Sequence, residues 1–421
     1  MSRPADRIHA RGRFSGKPGL HRIRALCAAL GNPQKNLKFV HIAGTNGKGS
    51  TAAMLAGIFR AAGYRTGLFT SPFLVTFHER ICVDGMMIDD ASLARLTDRV
   101  EEAERTLTLP ADEHIGEFEF VTAMAFLYFV EQNCDIVILE TGLGGSFDAT
   151  NVIDPPEAAV ITSISLDHMA VLGSTTGEIA RSKAGILKKG SAAICAAGQP
   201  ADAMEVIHAA CPMVQIPEPA LDDVCDLNGT SFTWQRKRWH TPMIGLHQVQ
   251  NACTALQTIF VLRERGWNLP DAAIQHGLER AVMPGRMEIV CQSPRVIVDG
   301  GHNEGGANAI AHTIRTLHFR GNLHLVLGMV ADKNVAACTE TLETLSDSIF
   351  VTQPENERAM AAGEMAQMLN HQSAVRGIYP ASEDAFRAAV QQAAPEDTIL
   401  VCGSLYLVGE AEKYFASDRK G

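Results

Sequence analysis

The sequence predicts an α/β chain of two domains whose first domain is built on a phosphate-binding strand–turn–helix. Three observations carry that expectation. Short apolar runs that read as buried parallel strands alternate with segments of helical period. One such run feeds a glycine-rich turn that opens a helix. The length, 421 residues, corresponds to two or three domains at about 150 residues each. Composition narrows the class further. Hydrophobic content of 46% and charged content of 20% exclude collagen-like, low-complexity and disordered chains. No run of about 18 apolar residues occurs, so no membrane helix is expected. Met1–Leu20 lacks the apolar stretch of a signal peptide. Lys plus Arg is 37 against 47 Asp plus Glu, and a net charge of −10 disfavours a dedicated nucleic-acid binder. The 10 cysteines are scattered without a CxxC pair, which suggests free thiols in a reducing cytoplasm, not a zinc site or disulfide framework.

The elements follow in order. Strands are expected at Phe39–Ala43, Thr66–Thr70, Asp135–Glu140 and Ala158–Thr162, with helices at Lys48–Ala62, Leu93–Leu107, Phe118–Asn133 and Gly177–Lys188. Strands with so few polar positions need helices on both faces of their sheet. Trp234–Trp239, where bulky and basic residues alternate, reads as a small antiparallel piece, and a long helix follows from Gln248 to Arg265. A second series begins after Pro284, with strands at Arg295–Asp299, Leu323–Gly328, Ser348–Val351 and Thr398–Cys402. Its helices are expected near Ala307–Leu317, Asn334–Leu345, Gly363–Asn370, Ser382–Ala394 and Leu405–Phe415. Pro284-Gly285 ends a helix, so the expected domains are 1–284 and 285–421.

The strongest motif is Phe39-Val-His-Ile-Ala-Gly44-Thr45-Asn46-Gly47-Lys48-Gly49-Ser50-Thr51. Glycines let backbone N–H groups converge on phosphate oxygens, the helix N-terminus adds partial positive charge, and Lys48 supplies a full one. It departs from the strict nucleotide pattern: Gly49 stands where Ser or Thr should follow the lysine, and Ile42 where the first glycine should be. ATP brings Mg²⁺, which wants hard ligands at neighbouring strand ends. Glu140 ends a buried strand, and Thr141-Gly-Leu-Gly-Gly145 allows a tight turn beneath a ligand. Ser71 ends another strand and can offer the hydroxyl that Gly49 lacks. Asp167-His168 follows the strand at Ala158. Each of these last residues alone also suits a turn or a strand-end cap.

Taken together, these motifs resemble the folylpolyglutamate synthase/dihydrofolate synthase family of the Mur-ligase superfamily. The resemblance runs through Ser71-Pro-Phe-Leu, Glu79-Arg80-Ile, Leu139-Glu-Thr-Gly-Leu-Gly-Gly, Asp148-Ala-Thr-Asn151, Ser165-Leu-Asp167-His168 and Lys183-Ala-Gly-Ile-Leu-Lys. It continues in His247-Gln-Val-Gln-Asn251, Pro284-Gly-Arg286, Asp299-Gly-Gly-His302-Asn303, Gly328-Met-Val-Ala-Asp332-Lys and Gly403-Ser-Leu-Tyr-Leu. It implies a P-loop-type ATPase domain with a mostly parallel sheet, binding ATP and folate, and a smaller Rossmann-like domain that binds glutamate. The implied enzyme is a cytoplasmic, monomeric amide ligase joining L-glutamate to dihydropteroate or reduced folates through an acyl phosphate, with no nucleic-acid or membrane partner.

The resemblance also implies roles. Gly44, Thr45, Asn46, Gly47, Lys48, Gly49 and Ser50 hold the phosphates, with Asn251, Arg286 and Asp299 also on ATP. Ser71, Glu140, His168 and Lys183 hold Mg²⁺, two ions in all. Phe118, Asp148, Ala149, Thr150, Asp299 and His302 meet the substrates, and Lys48, Lys183 and His302 are catalytic. Lys183 is expected to be carbamylated by CO₂, since a partly buried lysine more readily presents the neutral amine. Three segments depart from the family pattern: Ser146 where Arg is common, Arg181-Ser182 where Glu precedes the lysine, and Gly301 and Glu304 within the Asp299-Gly-Gly-His-Asn-Glu segment. They bear on substrate preference. A Mur-type ligase for another carboxylate and a P-loop kinase or NTPase are the alternatives.

Overall fold

The computed structural model describes residues 3–12, 16–331 and 333–418. They form two compact units, 1–164 with 169–219 and 251–281, and 165–168 with 220–250 and 282–421. The contacts therefore do not divide at one point in the chain: 165–168 and 220–250 belong with the second unit.

The first unit carries a seven-stranded sheet: β1 (Phe39–Ala43), β2 (Thr66–Phe69), β3 (Ile81–Val83), β4 (Met86–Met87), β5 (Ile136–Glu140), β6 (Ala158–Ile161) and β7 (Ala192–Cys195). Their spatial order is β4-β3-β2-β5-β1-β6-β7. The run β2-β5-β1-β6-β7 is parallel, and β3 and β4 extend it antiparallel. β1, β5 and β6 are buried at every position, as strands covered on both faces must be. The helix Asp90–Arg105 starts three residues earlier than its apolar pattern because Asp89 caps it, accepting the Ser92 N–H at 2.8 Å. The helix expected to reach Lys188 ends at Lys183 and passes into a 3₁₀ turn, Ala184–Ile186.

The second unit holds two sheets. The antiparallel piece at Trp234–Trp239 is the hairpin between β9 (Gly229–Trp234) and β10 (Lys237–Thr241), and β8 (Leu221–Asp226) completes three strands. The larger sheet comprises β11 (Glu288–Gln292), β12 (Arg295–Asp299), β13 (Leu323–Leu327), β14 (Ser348–Thr352), β15 (Val375–Tyr379) and β16 (Thr398–Cys402). Its order is β11-β12-β16-β13-β14-β15, parallel except at β11.

A buried polar knot pins the start of three of these strands. The His324 ring lies 2.6 Å from Ser348 Oγ through Nδ1 and 3.0 Å from Asp397 Oδ2 through Nε2. Asp397 also accepts the N–H groups of Asn322 at 2.7 Å and Ala394 at 2.8 Å. Its polar atoms are engaged within the fold, so this Ser-His-Asp set reads as a structural pin. Burial alone would raise the Asp397 carboxyl, but the imidazole and the two N–H groups outweigh it and hold it below its ordinary 3.8. A depressed carboxylate stabilises the fold above its unfolded pKa, and that contribution is lost as pH falls through the folded value. Asp397→Asn is therefore expected to cost about 1–3 kcal/mol at neutral pH and to flatten the loss of stability below about pH 4. Urea midpoints measured across pH for both proteins check this; parallel acid limbs would refute it.

Candidate active site

In the first unit, the central strand β1 has β5 on one side and β6 on the other, so the chain's direction of travel across the sheet reverses there. A crevice at the carboxyl ends of such strands is where open α/β sheets place ligands. The Gly44–Gly47 turn leaves β1 at this point, and Ile42 is in register with Glu140. Thr45 and Asn46 donate their N–H groups to Ser163 O at 2.7 and 3.2 Å, which ties the turn to the end of β6. A Cβ on Gly44 would fall 1.8 Å from Thr162 Oγ1, so only glycine fits. Gly47 has φ +84° and lies against Asn251: a Cβ would meet its Oδ1 at 2.2 Å. Asn251 thus reaches the turn although it lies 204 positions further along the chain than Gly47.

The helix Lys48–Ala61 begins directly after the turn, so its first N–H groups have no acceptor within the helix. Lys48 Nζ bends back to Gly44 O and Thr45 O, both at 3.1 Å. Lys183, only 4% exposed at the end of its helix, donates to the same Gly44 O at 2.7 Å. Two lysine side-chain nitrogens therefore share one carbonyl oxygen at the head of the glycine turn.

Glu140 is buried, and its Oε2 accepts the Ser71 N–H at 3.0 Å, so the structure brings these two expected ligands together. The turn that follows is organised from below by Asp148. Its Oδ2 accepts the N–H groups of Gly142 and Leu143 at 2.9 and 2.8 Å, and its Oδ1 accepts the backbone N–H and the hydroxyl of Thr150. Burial outweighs these bonds and raises the Asp148 carboxyl. Thr150 Oγ1 also meets His41 Nε2 at 2.8 Å, and burial pushes that imidazole down to about 3, so it is neutral at physiological pH. Asp148, Ala149 and Thr150 are all buried, and the polar atoms of Asp148 and Thr150 serve the loop. Phe118 packs directly on Gly142, where a Cβ would lie 2.6 Å from its ring. Ser146 bonds Ser182 O through both N (2.8 Å) and Oγ (3.0 Å), so the loop is fastened to the helix that carries Lys183.

In the second unit, Asp299 ends β12 and accepts the N–H groups of Met287 at 2.9 Å and Gly301 at 2.7 Å. Gly300 N donates to Gly285 O at 2.9 Å, and a Cβ on Gly300 would lie 2.7 Å from Arg286 Nη1. Arg286 and Asp299 are thus neighbours. His302 Nδ1 donates to Gly300 O at 2.8 Å, and its Nε2 lies 3.6 Å from Asp167 Oδ2. Asp167 gathers further partners: Lys333 Nζ at 2.5 Å and Asn303 Nδ2 at 3.1 Å. Burial opposes ionisation of this carboxyl, but His302 and the Lys333 ammonium prevail and hold it far below the carboxylate range. His168 Nε2 sits 3.5 Å from Lys333 Nζ. Asn303 and Lys333 were not singled out as site residues from sequence. The signals that point to them are the residue after His302 and the Asp332-Lys333 pair following β13; Asp332 itself lies outside the described residues.

Among the described residues, no group of three or more His, Cys, Asp or Glu is assembled to hold a metal, and no helix is long and apolar enough to cross a membrane. Residues 42–259 match the Mur ligase middle domain, and 285–405 the Mur ligase glutamate ligase domain. The dihydrofolate synthase/folylpolyglutamate synthase of Bacillus subtilis is 36% identical over 420 residues, covering 96% of this chain and 97% of the relative. The Escherichia coli protein of the same name is 33% identical, covering 96% and 92%. Among solved structures, E. coli FolC in complex with DHPP and ADP superposes with a TM-score of 0.86 at 31% identity, covering 99% of both chains. Mycobacterium tuberculosis folylpolyglutamate synthase with ADP gives 0.89 at 32% identity, covering 98% and 97%. With its two ligase domains in order and relatives matched along nearly their whole length, the chain belongs to the dihydrofolate synthase/folylpolyglutamate synthase family of Mur ligases.

Proposed function

We propose that this chain is an ATP-dependent carboxylate–amine ligase that adds L-glutamate to dihydropteroate or to a reduced folate. The single observation that carries the reading is the convergence of Lys48 and Lys183 on Gly44 O at the head of the glycine turn. A carboxylate oxygen of the acceptor attacks the γ-phosphorus of ATP, the bond to the bridging oxygen breaks, and ADP leaves. The glutamate amine then attacks the acyl carbon of the resulting acyl phosphate. The carbon–oxygen bond breaks, inorganic phosphate departs, and the amine gives up a proton. None of these steps needs a protein nucleophile; they need charge neutralisation and alignment. Gly44 to Ser50 and Asn251 cradle the phosphates, with Lys48 on the transferring group. Arg286, Asp299 and His302 serve the nucleotide and the incoming glutamate.

The donor set suits Mg²⁺, which in nucleotide sites takes one or two carboxylates and leaves its other positions to phosphates and water. Glu140 and Ser71 supply hard oxygens side by side, a carbamylated Lys183 would add to them within the same unit, and His168 is the further ligand that the resemblance implies. When bound, Mg²⁺ would supply charge neutralisation at the phosphates. Phe118 and the Asp148–Thr150 loop border the folate. Free thiols at all ten cysteines support a cytoplasmic enzyme, which we take to act as a monomer.

Phosphate release from ATP, measured with dihydropteroate or tetrahydrofolate as acceptor and with glutamate present or withheld, tests the reading. Release that requires both co-substrates supports it and ranks the two acceptors. Release equally fast without them belongs to a kinase or NTPase instead.

A further inference from the structure

The β1–β5 ladder runs one residue beyond the end of β5: Thr141 N donates to Ile42 O at 2.9 Å. Side-chain alternation therefore continues through Thr141, which shares the face of Val137 and Leu139, while Glu140 shares that of Ile136 and Ile138. Val137 and Leu139 belong to the same apolar cluster as Phe69, with Phe118 packed against it. Phe69 and Phe118 have ring centroids 5.8 Å apart, and Phe118 lies on Gly142, the residue after Thr141. Thr141 thus stands at the aromatic end of this face, on the opposite side of the strand from the carboxylate of Glu140.

Its hydroxyl is out of place there. Thr141 is 1% exposed, and its Oγ1 is buried with no hydrogen-bond partner. Two nearby threonines are satisfied: Thr122 Oγ1 donates to Phe118 O at 2.7 Å, and Thr150 Oγ1 bonds Asp148 and His41. The backbone on either side is fixed, by Ile42 O at Thr141 and by Asp148 at Gly142 and Leu143, so Thr141 cannot swing away to find water. An unsatisfied buried hydroxyl destabilises the ligand-free protein, and a ligand that pairs with it recovers that loss.

The geometry points to Thr141 as a substrate-binding residue whose hydroxyl pairs with the polar edge of the acceptor's flat heteroaromatic ring. This inference rests on the folate-type acceptor proposed above. A hydroxyl both donates and accepts, so it suits a ring edge on which N–H and C=O groups alternate. Phe118, only partly buried against the cluster that holds Phe69, supplies the apolar surface for the ring face. The site selects the acceptor and leaves ATP untouched.

Thr141→Val and Thr141→Ser test this. Valine keeps the shape and removes the hydroxyl. The expected result is a KM for the acceptor raised about fivefold to tenfold, with kcat and the KM for ATP close to the parent's. The ligand-free Tm stays level or rises, because the orphan is gone, while the Tm rise on adding acceptor shrinks. Serine, which keeps the hydroxyl, restores the parent KM. A valine variant with the parent's acceptor KM and the parent's ligand-induced Tm rise overturns the assignment. So does one whose ligand-free Tm drops and whose two KM values move together, since that marks an internal structural bond. A parent enzyme that turns over neither dihydropteroate nor a reduced folate overturns the functional reading itself, a separate outcome.

Discussion

Lys48→Ala loses amide synthesis by about a hundredfold to a thousandfold in kcat while the protein remains folded. The side chain packs into no core: its ammonium curls over the glycine turn to the carbonyls of Gly44 and Thr45. Removing it leaves Gly44 O still paired with Lys183 and takes one donor from Thr45 O in a half-buried turn, a small cost to stability, so Tm should move by no more than a few degrees. The transferring phosphoryl group, by contrast, loses a full positive charge in a site poor in water, where one such group is typically worth two to three orders of magnitude. Lys48→Arg is expected to recover little, because a planar guanidinium cannot replace a compact ammonium folded back within one turn. Steady-state rates at saturating ATP, glutamate and acceptor, together with a melting curve, decide the matter. Near-parent turnover in Lys48→Ala would remove the lysine from the chemistry.

The parts legible in the sequence were those with a local signature. β1, β12 and β16 coincide with their expected limits because parallel strands buried at all or nearly all positions read as predominantly apolar runs. β8, Leu-Asp-Asp-Val-Cys-Asp, exposed along most of its length, and β15, Val-Arg-Gly-Ile-Tyr, buried at none of its positions, were missed because edge strands of this kind need no apolar run. The glycine turn was legible for the same local reason, since strand, turn and helix are contiguous. What single residues do within the site was not. Asp148 carries a motif that suggests a ligand contact, yet its carboxylate organises the turn from Gly142 to Thr150. Lys333 and Asp167 form a buried ion pair across 166 positions, and nothing in either local segment announces it. Ser146 and Ser182, read separately as departures from a family pattern, are bonded to each other's segments through Ser182 O. Such pairings are properties of the closed chain, and they set the spacing on which Lys183 depends.

Lys183→Ala is expected to be nearly inactive and to regain part of its rate with acetate or another short carboxylate. The bland alternative, a solvated lysine at the end of a helix, does not suit a side chain that is 4% exposed and bonded to the carbonyl at the head of the phosphate turn. Burial and the Lys48 ammonium on the same oxygen both disfavour a second positive charge at that place. Reaction of the neutral amine with CO₂ forms a carbon–nitrogen bond and releases one proton. The product keeps an N–H, so the bond to Gly44 O survives, and adds two oxygens that share one negative charge on a long arm. Those oxygens are hard ligands suited to a second Mg²⁺ near the γ-phosphate, farther out than an Asp or Glu on this helix would reach. The helix end is set for this by Ser146 on Ser182 O, and a Cβ on Gly145 would lie only 2.8 Å from Lys183 O, so the lysine's backbone is gripped by the loop after Glu140. Two measurements decide it: rate against bicarbonate and added acetate for both proteins, and electron density at Lys183 in crystals grown with nucleotide and Mg²⁺. A fully active alanine variant, together with density that ends in a plain ammonium, would discard the carbamate and leave Lys183 as a structural clamp on Gly44.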